Sequence, residues 1–265
     1  MIGVFDSGVG GLTVVKEIFK QLPEYQIIYF GDTARLPYGT KGADFVQKYS
    51  AKITDWLIEN GAKVIVVACN TSSAWASDLL KKQFPNTPIF EMITPAVDDI
   101  NNNHNFKKIG LIGTPGTIKS SAYQKRILKQ NPKLKIFTQP CPLLVPLVEE
   151  GRVSGPIVES VCKEYLTSLK NKDIQALILA CTHYPLLRKV IQKNVGSGVK
   201  IINPAESLAK ELKIFLKDNP QIEKQIKKGS AHQFFFSDEP YNFEKIKSLC
   251  FGKKFKKPFK VLTGF

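Results

Sequence analysis

Short, continuously apolar runs alternate with longer amphipathic segments along the chain, and this alternation restricts the fold more than any other feature of the sequence. Runs such as VIVVA and ALILA are typical of strands buried on both faces, since a half-exposed strand would alternate apolar and polar residues. The amphipathic segments between them are typical of crossover helices. The pattern therefore predicts an α/β fold, with parallel sheets flanked by helices.

The boundaries of the predicted elements follow from this pattern. We predict strands at 2–6, 26–30, 63–68, 108–113, 134–138, 174–180, 199–202, 233–237 and 259–263. We predict helices at about 10–22, 41–60, 71–84, 94–104, 116–131, 154–169, 184–195, 205–218 and 239–250.

The two halves of the chain follow one plan. The first half has a strand with a glycine-rich turn at 2–11 and, later, a strand that ends in Cys69. The second half has a strand with a small-residue turn at 108–117 and, later, a strand that ends in Cys181. The spacing from turn to cysteine is similar in both halves, which predicts a duplicated α/β unit.

We therefore expect two pseudo-symmetric domains, with the active site in the cleft between them. Chain crossings are expected near MITPAVDD and IINPAES, where Pro, Ala and an acidic residue follow a strand. The first domain would comprise 1–94 together with 207–265, and the second 95–206.

The cysteines give the first indication of chemistry. There are five, an odd number without a CxxC pair, which argues against a disulfide framework or a zinc site and for a reducing compartment. Cys69 and Cys181 stand at carboxyl ends of predicted strands, where open parallel sheets bind ligands. Cys141, Cys162 and Cys250 lack this context, and we interpret them as structural or surface thiols.

Two thiols that meet across one cleft are suited to inverting a carbon acid. One thiolate removes the proton, and the other thiol delivers a proton to the opposite face. Asp6, at the end of the first strand, is expected close to Cys69, and His183 is placed to hold the proton of Cys181. Taken alone, Asp6 is equally typical of a turn and His183 of a structural histidine.

The net charge of +15 raises the possibility of a nucleic-acid partner. Seven lysines fall within 245–260, a segment that we interpret as a solvated surface. The chain opens on MIGVFDSG, without a basic or long apolar leader, and no apolar stretch approaches the roughly 20 residues of a membrane helix. We expect a cytoplasmic protein without a membrane partner or an obligatory nucleic-acid partner.

Four blocks in this order resemble glutamate racemases of the cofactor-independent aspartate/glutamate racemase superfamily. They are GVFDSGVGGLTV (3–14), YFGDTARLPYG (29–39), VVACNTSSA (66–74) and LACTHYPLL (179–187). The resemblance weakens after about 210. It implies a two-domain α/β fold, a cleft that binds L- or D-glutamate, no cofactor and no metal. It also implies a homodimer that supplies D-glutamate to peptidoglycan.

The resemblance implies specific roles for residues in these blocks. Cys69 and Cys181 match the two catalytic cysteines, with Cys69 handling the proton of the D-enantiomer and Cys181 that of the L-enantiomer. Asp6 and His183 match the assisting acid and histidine. A further carboxylate is matched by Glu149 or Glu150, in a predicted loop, and we favour Glu149. The substrate-binding positions are Asp6, Ser7, Tyr38, Gly39, Asn70, Thr71, Thr182 and His183, with Thr114 and Thr117 at the turn of the second domain.

Three alternatives compete with this interpretation. GVGG after a strand and Asp32 after the next imitate a dinucleotide-binding fingerprint, but Thr13 replaces its last glycine and Asp6 would lie beside a pyrophosphate. A racemase or lyase acting on aspartate, hydantoins or maleate would share the two cysteines, although DSGVGG and CTHYPLL favour glutamate. The third alternative is a basic protein that binds nucleic acid through 245–260.

Overall fold

Two parallel sheets form the framework of the computed structural model, which describes residues 1–103, 106–240, 242–252, 258–262 and 265. The six-stranded sheet has the order β10-β9-β2-β1-β3-β4, built from β1 (Ile2–Asp6), β2 (Ile27–Gly31), β3 (Val64–Val67), β4 (Ile89–Glu91), β9 (Gln233–Phe236) and β10 (Lys260–Val261). The four-stranded sheet has the order β6-β5-β7-β8, built from β5 (Lys108–Gly113), β6 (Lys135–Pro140), β7 (Ala176–Ala180) and β8 (Lys200–Ile202).

Helices follow most of the strands and pack on the sheets. They are α1 (Leu12–Gln21), α2 (Ala43–Glu59), α3 (Asn70–Gln83), α4 (Ile93–Asn103), α5 (Pro115–Ser120), α6 (Ala122–Gln130), α7 (Leu144–Glu149), α8 (Pro156–Lys170), α9 (Arg188–Val195), α10 (Pro204–Asp218), α11 (Pro220–Glu223) and α12 (Phe243–Phe251). Short 3-10 turns occupy Thr33–Arg35, Tyr38–Thr40 and Tyr184–Leu187. None of the helices in the described ranges combines the length and apolar character needed to cross a bilayer.

This architecture confirms the predicted fold class of helix-flanked parallel sheets. All strand pairings within the two sheets are parallel, and every residue of the central strands β1 and β7 is buried. One large apolar cluster includes residues of both sheets, so the two units share a core. The domain boundaries at 94/95 and 206/207 stay a prediction.

The structure corrects several predicted elements. The helix expected at 116–131 is two helices, because Ser121 adopts a left-handed conformation with φ of 58° between α5 and α6. The helix expected at 184–195 begins with a 3-10 turn before α9. Glu149 lies at the end of α7, where we expected a loop. The strand β4 and the helix α11 were missed because each is very short.

Some predictions fall partly outside the described residues. These are the end of helix 94–104 at His104, Tyr241 within helix 239–250, Thr263 at the end of the last strand, and 253–257 within the lysine-rich segment. The described part of helix 239–250 forms α12, which starts at Phe243. The described part of the last strand is β10.

The strand register of the first sheet determines where its polar residues lie. Asp6 pairs with Gly31, and Phe5 pairs with Val67, so β1, β2 and β3 end together. Cys69 follows β3 by two residues and precedes α3. Asp6 and Cys69 therefore come to the same edge of the six-stranded sheet.

The second sheet repeats this arrangement. Gly113 pairs with Pro140 on one side and with Ala180 on the other, so β5, β6 and β7 end together. Thr114 and Cys181 follow directly at that edge.

Side-chain caps fix the start of the helices that follow these strand ends. Cys69 caps α3 by accepting the N–H of Ser72, and Thr114 caps α5 by accepting the N–H of Thr117. Such caps satisfy backbone donors that the first helical turn leaves free. The N-termini of α3 and α5 are thereby held at the carboxyl edges of the two sheets.

A glycine at the equivalent place in each central strand allows a close approach of its neighbours. A Cβ atom on Gly3 of β1 would lie 2.8 Å from Cβ of Ala62. A Cβ atom on Gly110 of β5 would lie 2.8 Å from the side chains of Ile174 and Leu177. In both units, a glycine in a central strand therefore allows neighbouring side chains to pack closely against the sheet.

We predict that Gly3→Ala lowers the free energy of unfolding by about 1–3 kcal/mol, because the added methyl group overpacks a buried strand. Gly198→Ala is the matched control, since a Cβ atom there has no described atom within 4 Å. Chemical denaturation of both variants tests this. Equal stability of the two variants would contradict the packing role of Gly3.

Candidate active site

One cleft lies where the carboxyl edges of the two sheets meet, and residues of the turns and helices beyond both edges line it. The two predicted thiols, Cys69 and Cys181, lie in its wall and are 5% and 6% exposed. The lining residues are Ser7, Leu36, Pro37, Tyr38, Gly39, Cys69, Asn70, Thr71, Thr114, Val145, Glu149, Cys181, Thr182 and His183.

Cys69 is held in a polar but desolvated position. Its Sγ accepts the backbone N–H of Ser72 at 3.5 Å and lies 3.8 Å from Oγ of Ser7. Burial is the main cause that raises the pKa of Cys69 to about 11, and the negative charge of Asp6 adds to it, although the contacts with Ser72 and Ser7 oppose the shift. At neutral pH Cys69 is therefore a neutral thiol, able to donate a proton.

Asp6 lies behind the cleft wall and contacts both halves of the site. Its carboxylate accepts the N–H of Gly8 at 3.1 Å and the hydroxyl of Thr182 at 3.4 Å. Burial raises the pKa of Asp6, and this effect outweighs the opposing positive charge of His183 and the hydrogen bonds. Asp6 therefore links the first β-strand to the turn that carries the second cysteine.

Cys181, His183 and Glu149 form a continuous polar chain. Nδ1 of His183 lies 3.7 Å from Sγ of Cys181, and its Nε2 lies 3.2 Å from Oε1 of Glu149. Burial alone would lower the pKa of His183, but its contacts with Cys181 and Glu149 outweigh burial and raise it well above the ordinary value. A protonated His183 can donate from both ring nitrogens at once.

The structure distinguishes the two neighbouring glutamates. Glu149, at the end of α7, lines the cleft and contacts His183. Glu150 instead lines an adjoining groove, and its backbone carbonyl accepts a hydrogen bond from Lys245. Of the two carboxylates, Glu149 is the one that faces the site.

The opposite side of the cleft presents amide and hydroxyl groups. Oδ1 of Asn70 accepts the hydroxyl of Tyr123 at 2.7 Å, while its Nδ2 is buried without a hydrogen-bond partner among the described residues. An unsatisfied buried donor is costly, so this N–H favours an oxygen ligand in the cleft. The amide lies at the N-terminus of α3, which further favours an anion.

Three threonine hydroxyls lie within 3.1 Å of one another beside this amide. Thr71 comes from α3, whereas Thr114 and Thr117 come from the second sheet's edge. Thr71 and Thr114 line the cleft, and the fully buried Thr117 lies behind them. The hydroxyls therefore join the two units directly at the site.

The remaining predicted residues complete the wall. Tyr38 is almost fully buried and donates its hydroxyl to Asp32 at 2.5 Å. Gly39 packs on the second unit, where a Cβ atom would lie 2.5 Å from Cβ of Thr114. Close approach of the two units at this point requires glycine.

Sequence reasoning missed several residues that shape the site. Leu36, Pro37 and Val145 line the cleft, and Tyr123 orients the amide of Asn70. Leu36 and Pro37 fall within the block 29–39, so a sequence motif that includes them was available. No motif marked Tyr123, because its contact joins residues far apart in the chain.

The cysteines outside the cleft are also buried. Cys141, Cys162 and Cys250 are free thiols that pack within the large apolar cluster of the fold. Burial raises the pKa of Cys162 to about 11 and that of Cys250 to about 12. Of the two interpretations left open for them, the structural one is therefore correct.

Comparison with known proteins agrees with this geometry. The family model described as Asp/Glu/Hydantoin racemase matches residues 2–212. The chain is 42% identical over 253 residues to a protein named glutamate racemase from Geobacter metallireducens, covering 96% of this chain and 93% of that protein. It is also 42% identical over 263 residues to the glutamate racemase of Aquifex pyrophilus, covering 99% and 98%.

A solved structure shows the same arrangement over nearly the whole chain. The glutamate racemase of Francisella tularensis in complex with D-glutamate superposes with a TM-score of 0.89 at 40% identity, covering 98% of this chain and 96% of that one. Together with the family model and the similar sequences, this likeness shows that the chain belongs to the Asp/Glu/Hydantoin racemase family.

Proposed function

We propose that this protein is a glutamate racemase that interconverts L- and D-glutamate with two cysteines and no cofactor. The observation that carries the proposal is the placement of two buried thiols, from strand ends of separate sheets, in the wall of one cleft. The similarity to proteins named glutamate racemase supports glutamate as the substrate rather than aspartate, hydantoins or maleate.

The proposed reaction uses each thiol on one face of the substrate. In the direction from L to D, the thiolate of Cys181 removes the Cα proton, so that a C–H bond breaks and an S–H bond forms. The neutral thiol of Cys69 then gives its proton to the opposite face of the carbanion. In the reverse direction the two cysteines exchange these roles, as required of groups that act as both acid and base.

We assign the charged neighbours to supporting roles. His183, held by Glu149, would stabilise a thiolate at Cys181 through its positive charge. Asp6 would act on the side of Cys69 and attract the substrate ammonium. The assignment of His183 rests on its contact with Cys181, and that of Asp6 rests on the effect of its charge on Cys69.

The polar wall would hold the two carboxylates of the substrate. The unpartnered amide N–H of Asn70 and the hydroxyls of Thr71, Thr114 and Thr182 supply donors suited to carboxylate oxygens. Ser7, Tyr38 and Gly39 complete the enclosure. Binding by several fixed donors would place Cα between the two sulfur atoms.

The family resemblance also supports three proposals that do not concern the geometry of the cleft. They are the supply of D-glutamate to peptidoglycan, assembly as a homodimer, and a cytoplasmic location. The resemblance predicts no need for a metal or cofactor, which a racemisation assay of dialysed enzyme with a chelator present would test.

We predict that Cys69→Ser and Cys181→Ser each reduce racemisation by at least about 10²-fold in both directions, because each direction needs both thiols. In D₂O, Cys69→Ser should still exchange the Cα proton of L-glutamate, and Cys181→Ser that of D-glutamate. Proton NMR of Cα and chiral chromatography measure both outcomes.

Cys162→Ala is the matched control, since Cys162 is buried away from the cleft. Normal racemisation by either active-site variant would contradict the two-thiol mechanism. If the parent protein inverts aspartate and leaves both glutamate enantiomers unchanged, the proposed substrate is wrong.

We predict that Glu149→Gln lowers kcat in the L-to-D direction by about 10²-fold, because His183 loses its negatively charged partner. Glu150→Gln is the matched control, since Glu150 lies outside the cleft wall, and it should keep near-normal activity. Steady-state kinetics of the two variants test this. Equal effects of both substitutions would contradict the assignment of Glu149.

The same variant tests the raised pKa of His183 through protein stability. A pKa that is higher in the folded than in the unfolded state stabilises the fold fully below the unfolded value, and the contribution disappears as the pH rises through the folded value. Glu149→Gln removes one cause of the shift, so its loss of stability should be larger at pH 6 than at pH 10. A loss that grows with pH would contradict this linkage.

A further inference from the structure

Asp32 is a buried carboxylate to which the proposed mechanism gives no role. It follows β2 and is fully buried. Its Oδ2 accepts the hydroxyl of Tyr38 at 2.5 Å, and its Oδ1 accepts Nη1 of Arg35 and the hydroxyl of Ser237, both at 2.6 Å. A buried carboxylate with several charge-assisted hydrogen bonds is a strong local anchor.

The contacts of Asp32 come from separate parts of the chain. Ser237 follows β9, and its hydroxyl also accepts the N–H of Ala34 at 3.0 Å. Arg35 binds the backbone carbonyl of Phe265 and stacks 4.3 Å from the ring centre of Tyr49. Asp32 therefore connects the cleft wall to the outer strands of the six-stranded sheet.

Tyr38 connects Asp32 to the cleft wall. Its ring packs with Val46 and Cys69 in a small apolar cluster. The residue also belongs to the 36–39 segment, four successive residues that line the cleft. The backbone of this segment meets the second unit, because Gly39 packs on Thr114 and its carbonyl approaches Gly116.

We infer that Asp32 is a positioning residue for the proposed racemase site: it holds Tyr38, and so the 36–39 segment, over Cys69. This inference deepens the proposed function and rests on it. Without the carboxylate, the buried hydroxyl of Tyr38 and the partly exposed Arg35 would lose their common acceptor. The 36–39 segment would then become more mobile. As a result, substrate would bind more weakly and Cys69 would become more accessible.

The first test measures access to Cys69 and needs no activity. The purified full chain is treated with iodoacetamide, and the alkylation rate of each cysteine is followed by peptide mass spectrometry. In Asp32→Asn and Tyr38→Phe, the rate at Cys69 should rise about tenfold over the parent protein. Cys162, fully buried in the second unit, is the internal control for general unfolding, and its rate should not change.

The second test uses kinetics to separate positioning from general loss of structure. Both variants should raise KM for glutamate about tenfold with kcat changed less than about threefold, since the substrate must then order the segment on binding. The double variant should be no worse than the worse single variant, because both changes break one contact. If Asp32→Asn does not fold, Tyr38→Phe alone carries both tests, since it removes only a hydroxyl.

The inference is overturned if the alkylation rate of Cys69 stays at the parent value, or if Cys69 and Cys162 become reactive together. It is also overturned if the effects on KM multiply in the double variant. A parent protein that does not racemise glutamate would defeat the proposed function, whereas the alkylation result would still decide whether Asp32 positions Tyr38 over Cys69.

Discussion

Parallel hydrogen bonding within each sheet is the constraint on which the site depends. It brings the carboxyl ends of β1, β2 and β3 to one edge of the first sheet, and those of β5, β6 and β7 to one edge of the second. The two thiols of the cleft follow β3 and β7, whereas Glu149 reaches the cleft from the end of α7. Because the two edges face each other, two similar units make one site that neither could form alone.

Burial then sets the chemistry of the groups that the sheets bring together. It raises the pKa of Cys69, which favours a neutral thiol there. On the other side, contacts with Cys181 and Glu149 outweigh burial and favour a charged His183. The cleft thus has a neutral thiol on one side and a charged histidine on the other, although the two halves share one fold. This asymmetry is what a reaction with one acid and one base requires at any moment.

Much of this could be predicted from the sequence because its signals are local. Apolar runs ending in Cys69 and Cys181 indicated both the buried parallel strands and the positions of the thiols. The break between α5 and α6 at Ser121 left no clear local pattern, and neither did the helix that carries Glu149. The hydrogen bond by which Tyr123 orients Asn70 depends on how the two units pack together. No short sequence motif indicates this packing.

The early isotopic course of the reaction in D₂O distinguishes two thiols on opposite faces of the substrate from a single shared base. Purified protein is mixed with L-glutamate, and Cα deuterium is measured separately in the product and in the remaining substrate during the first few per cent of conversion. Two thiols on opposite faces predict D-glutamate fully deuterated at Cα, while the remaining L-glutamate keeps its proton. If deuterium instead enters the remaining L-glutamate as fast as D-glutamate is formed, a single base serves both faces, and the two-thiol mechanism is contradicted.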